Sequence, residues 1–199
     1  MKVIAIAAIA AAAGLATASP IMSTTLTEYT VDNAGTPTAS MVIDISGINS
    51  WDSQGSLNNH IMSILIGTGA EVTGIAWDVF LSAGPANGGA SWASEAVMGI
   101  EGQINLSVGA GTDAPTTNMN FNSGGVVDIT DAGLPNITVG ADGILDIEFF
   151  ESFDDEADAI DNVFEAGSTI TLVGTNFVPT PGSLAVLGLG GLVAGRRRR

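Results

Sequence analysis

Apolar and polar residues alternate with a period of two along most of the chain, and turn formers interrupt the alternation about once every dozen residues. The segments 24–31, 40–45, 61–66, 72–81, 92–100, 104–108, 126–129, 144–150 and 168–173 each read as a strand. Turn-forming clusters separate them, such as Asp32-Asn33-Ala34-Gly35 and Gly109-Ala110-Gly111-Thr112-Asp113. Between the first twenty residues and the last twenty, no stretch keeps a helical apolar stripe for three turns. Short strands in this number, with no helix between them, predict an all-β fold of the β-sandwich or jelly-roll kind. No internal repeat divides the pattern.

The two ends depart from it. Met1 and Lys2 precede an apolar, alanine-rich run over 3–15 and the tripeptide Ala16-Thr17-Ala18. A basic start, a short apolar core and an Ala-x-Ala site predict a secretory signal peptide over 1–18, cut after Ala18. The last residues stack three pieces: Val178-Pro179-Thr180-Pro181, an uncharged apolar run over 182–195, and Arg196, Arg197, Arg198 and Arg199. The prolines favour an extended, unpaired backbone open to a processing enzyme. As a helix, the 14 residues of 182–195 would span about 21 Å, short of the roughly 30 Å of a bilayer core. The Arg block would stay on the cytoplasmic side of such a transmembrane helix.

This order of motif, apolar helix and terminal Arg cluster resembles the PEP-CTERM sorting signal of bacteria that make extracellular polysaccharide. Thr180 stands where that family has glutamate. The resemblance covers 178–199 and implies recognition by an exosortase-like membrane protease, after export through the Sec translocon and cleavage by signal peptidase. It attaches no activity to the region between, so the chain divides into a leader (1–18), an ectodomain (19–177) and a sorting tail (178–199).

Charge is segregated along the same boundaries. The five basic residues are Lys2 and the four terminal arginines, whereas all 21 acidic residues lie between Val3 and Gly195. A body without lysine or arginine cannot neutralise phosphate, which excludes nucleic acid and anionic membrane surfaces as its partners. Such a body repels itself unless salt or bound cations screen it. Cysteine is absent, so packing or metals must do what disulfides do in many exported domains.

The densest acidic run points to calcium chemistry. Asp154, Glu156, Asp158, Asp161 and Glu165 supply the hard oxygen donors that calcium takes six to eight at a time. The spacing of Asp154, Glu156, Asp158, Asn162 and Glu165 approaches an EF-hand loop, but Ala159 replaces its turn glycine and the flanks read as strands. An irregular inter-strand calcium site is the functional expectation; a solvated acidic loop is the alternative. Among the tryptophans, Trp51 and Trp92 sit in or beside polar loops and are the candidates for stacking on a sugar, whereas Trp77 lies in an alternating strand and reads as core. His60 is the single histidine and reads as structural.

Catalytic signatures are lacking: there is no Gly-x-Ser-x-Gly elbow, no His-Glu-x-x-His and no phosphate-binding loop. The expectation is a non-enzymatic structural or adhesive protein of the cell surface or exopolysaccharide matrix. A calcium-dependent carbohydrate-binding module is the alternative, with a glycan-processing enzyme behind it.

Overall fold

The computed structural model describes residues 38–84, 91–155 and 159–178, together with the backbone of strands at 6–8, 22–26 and 31–32. The described residues are all-β and form two sheets. The first contains β1 (Ile6–Ala8), β2 (Met22–Leu26), β6 (His60–Leu65), β8 (Ala96–Ile100), β9 (Ile104–Ser107) and β13 (Ile144–Glu151), in the order β1-β9-β8-β13-β6-β2. All its pairings are antiparallel except that of β2 with β6. The second holds β3 (Val31–Asp32), β4 (Ala39–Asp44), β5 (Asn49–Ser50), β7 (Glu71–Ala83), β10 (Thr116–Asn122), β11 (Val127–Asp128), β12 (Ile137–Thr138), β14 (Asn162–Phe164) and β15 (Thr169–Thr175).

The thirteen-residue β7 organises the second sheet. Along one edge it pairs with β15 and then β14, laid end to end; along the other it pairs with β12, β11 and β10. Its side chains explain its reach. Ile75, Trp77, Val79 and Leu81 point to one face, and β-branched or aromatic residues suit a pleated, half-buried surface. The inward set switches parity between Val72 and Ile75. There the partner register skips a residue, with Val173 opposite Gly74 and Gly174 opposite Val72. An extra residue on one strand bends the ladder at such a bulge. Gly174 makes this crossing possible, because a β-carbon there would overlap the carbonyl oxygen of Glu71.

Both sheets feed one apolar cluster. Met62, Met98, Leu145, Ile147 and Phe149 come from the first sheet, and Met41, Ile43, Leu81, Phe164 and Leu172 from the second. The Phe149 ring meets that of Phe164 edge-on across the two sheets at 5.3 Å, and meets His60 in the same way at 6.1 Å. His60 is accordingly part of the packing, and burial pulls its pKa down.

Eight of the nine expected strands have a counterpart, although Ala93–Glu95, inside the expected 92–100 strand, is a 3₁₀ turn. The expected 24–31 strand instead falls on two strands of different sheets, β2 and β3, with 27–30 outside the described residues. Of the expected leader, only the backbone of Ile6–Ala8 is described, as the edge partner of β9. Of the expected tail, Val178 alone falls within the described residues. Pro179, Thr180, Pro181 and the Arg cluster lie outside them. Among the described residues no helix is long and apolar enough to cross a membrane.

Candidate functional site

The alternation along β13 carries a surprise at its end. Leu145, Ile147 and Phe149 point into the core, and the same spacing delivers Glu151 to that face, 1% exposed. The second sheet supplies its partners. Ser50 and Asn162 pair across β5 and β14, the Ser50 hydroxyl donates to Glu151 Oε1, and Asn162 Nδ2 donates to Oε2 at 2.8 Å. Burial pushes the Glu151 carboxyl up to about 8 against these two donors, and the charges of Asp161 and Glu95 add to the rise.

Asp161 precedes Asn162 and is fully buried. Its backbone N–H donates to Ser50 O at 3.1 Å and its carbonyl accepts from Gly84 N at 3.3 Å. Among the described residues its carboxyl oxygens have only the neighbouring Ser91 hydroxyl, which approaches without good hydrogen-bond geometry. Burial raises its pKa to about 6, opposed by the neighbouring Ser91 hydroxyl and reinforced by Asp154, Asp155 and Asp52. Asp52 itself is tied into a separate network, accepting from Ser56 Oγ at 2.6 Å and Asn58 Nδ2 at 3.0 Å.

Beside this buried group opens a cleft of about 590 Å³. Trp92 and Phe153, 43% and 63% exposed, line it together with Glu95, Asp113, Asp155, Ser94 and Ser152. The 3₁₀ turn that presents Trp92 and Glu95 is fastened on both sides. Ala93 N and Ser94 N donate to Ala114 O and Thr112 O at 3.1 Å, and Ser152 N donates to Glu95 O at 2.9 Å. Glu95 turns back to accept from Trp92 N at 2.7 Å. Burial raises its pKa against that bond, and the charges of Asp155 and Asp113 raise it further. Rigid aromatic faces beside clustered acceptors suit a polyhydroxylated or amine-bearing ligand and repel an anionic one.

The residues singled out in the sequence are distributed unevenly around this region. Trp92 lies in the cleft, whereas Trp51 is half-buried, with its indole nitrogen enclosed and without a hydrogen-bond partner among the described residues. Trp77 is packed in the core. Asp154 and Asp161 lie in the acidic region, but Glu165 is drawn off to β7, accepting from Ser82 Oγ at 2.6 Å. Glu156 and Asp158 lie outside the described residues. Among the described residues, no three acidic or histidine side chains converge tightly enough to hold a metal by themselves. Sequence reasoning missed Glu151, Phe153, Glu95 and Asp113. For Glu151 a signal existed, since period two carried one residue past the end of the expected strand places it inward. No family model matches the chain, and no curated protein or solved structure matches it either.

Proposed function

We propose that this chain is a structural or adhesive protein of the bacterial surface or exopolysaccharide matrix, attached to polysaccharide through the Trp92–Phe153 cleft. Its two sheets form a β-sandwich of jelly-roll type around their shared core. Export runs through Sec and signal peptidase, and an exosortase-like protease acts on the tail over 178–199. The cleft carries the binding reading: two aromatic side chains stay largely exposed where it opens, and carboxylates and hydroxyls line it with them. Exposed aromatic area held on a fastened turn costs hydration in the free protein and is recovered when an apolar sugar face stacks on it.

Retention on an array of neutral and amino-sugar polysaccharides tests this. Trp92→Ala and Phe153→Ala are each expected to weaken retention about tenfold or more, equivalent to about 1.4 kcal/mol, with melting temperature nearly unchanged. Equal retention of both variants and the parent removes the cleft from the reading. Mass spectrometry on protein from native cells addresses the ends, with an expected N-terminus at Ser19 and no terminal Arg block. A freely secreted chain that keeps Arg196–Arg199 overturns the sorting step.

A further inference from the structure

Buried carboxylates need a counter-charge or a proton, and this body offers no side-chain cation. Lysine and arginine are absent from Val3 to Gly195. His60 is committed to its packing against Phe149 and is held towards its neutral form by burial. Yet Glu151 and Asp161, 1% and 0% exposed, are close enough to repel one another, and they sit in a wall rich in acceptors. Oδ1 of Asn162 and Oδ1 of Asp154 are buried without hydrogen-bond partners among the described residues, and the two buried oxygens of Asp161 have only the Ser91 hydroxyl beside them. Asn162 shows the arrangement most clearly: its Nδ2 is spent on Glu151, leaving its carbonyl oxygen, a pure acceptor, with nothing to accept. Native interiors rarely leave so many acceptors orphaned together.

We infer that Glu151, Asp161 and Asn162, with Asp154 and Ser91 beside them, bind a hard divalent cation of the calcium class. Three carboxylates, an amide carbonyl and a hydroxyl from three chain segments make an all-oxygen set, which such ions take in irregular geometry. The ion supplies the positive charge that the composition withholds, and it ties the end of β13 to the start of β14 across the two sheets. This differs from an EF-hand loop in kind: the donors come from strand ends, and Glu165 is occupied elsewhere. The inference does not depend on the glycan reading.

The test is calcium titration of the purified, chelator-stripped protein at fixed ionic strength and pH, followed by calorimetry and by thermal melting. One saturable calcium per chain is expected, with melting raised by about 5–10 °C at a hundredfold excess over Kd. Asp161→Asn and Glu151→Gln are expected to abolish saturable binding while melting no lower than the stripped parent, because each replaces a carboxyl that is costly to bury with a neutral amide of nearly the same shape. Asp128→Asn, at the exposed end of β11, is expected to bind as the parent does. Trp92→Ala keeps calcium binding and loses polysaccharide retention, which separates the two sites. Absence of saturable binding overturns the inference, as does an equal melting shift from matched sodium chloride or full binding by Asp161→Asn. If Asp161→Asn fails to fold, Tb³⁺ luminescence on the parent, displaced by calcium but not by sodium, decides the question in the same terms.

Discussion

Phe149→Ala is expected to destabilise the protein by about 3–5 kcal/mol, the largest effect of any single truncation in the core. Phe149 is fully buried at the centre of the first sheet, opposite His60 on one side and Met98 on the other. Its ring also contacts Phe164 edge-on at 5.3 Å, which makes it a direct bridge between the sheets. Alanine would remove the apolar area, two edge-on aromatic contacts and the filling of a space that strands on both sides hold open. Ladder hydrogen bonds fix the neighbouring backbones, so collapse around the void is limited. Urea denaturation gives the number, read as a lowered midpoint with an unchanged slope. Phe149→Leu, which retains most of the volume, is expected to lose less than half as much. Equal losses for the two variants would mean that the ring contacts, which both lose, carry the whole effect and the cavity adds nothing.

Alkalinity is expected to loosen the fold whenever divalent cations are withheld by chelator. Glu151 titrates near the ordinary carboxyl value in the unfolded chain and at about 8 in the folded one. Between roughly pH 4.5 and 8, therefore, the folded chain holds a proton that the unfolded chain has released. Stability falls wherever the unfolded state binds fewer protons, by about 1.4 kcal/mol per pH unit for one such group. Asp161, raised to about 6, adds to the loss in the lower half of that window. The groups bearing on Glu151 act together: Asp161 and Glu95 favour the proton, while Ser50 and Asn162 oppose it. His60, whose pKa is lowered, works the other way and weakens the fold only as pH drops below its usual range. The melting temperature in chelator is expected to fall by on the order of 10 °C from pH 5 to pH 8. Glu151→Gln should flatten most of that slope; a slope unchanged in the variant would place the proton elsewhere.

The strand pattern was readable because most strands have one wet and one dry face, and period two is the direct record of that. β13 and β15 show it cleanly, with Leu145, Ile147 and Phe149 and then Ile170 and Leu172 inward. β10 left no such record. Its sequence Thr-Thr-Asn-Met-Asn-Phe-Asn is largely exposed and joins the sheet through its backbone pairing with β7, which hydropathy does not report. The two-residue strands β5, β11 and β12 are too short to show any period. In the acidic region the sequence displayed the density of carboxylates without their depth. Exposure separates Glu151 and Asp161 from the solvated majority, and exposure here depends on Ser50 and Ser91, which arrive from distant parts of the chain. Trp92 and Phe153 illustrate the same limit, since 61 positions of sequence separate two rings that line one cleft.

The placement of β15 has a consequence for the order of assembly. Among the described residues it is the last strand, yet it lies inside its sheet, hydrogen-bonded to β4 on one flank and β7 on the other. As the polypeptide emerges from its N-terminus, β4 and β7 appear long before the element that belongs between them. Each then presents a row of open amides and carbonyls, and such edges invite pairing with the wrong neighbour. Closing the gap requires joining segments about a hundred residues apart, a slow, entropy-limited step. A nascent chain ending short of Thr175 would therefore be caught in its most sticky form, so chaperoning is most needed just before β15 emerges.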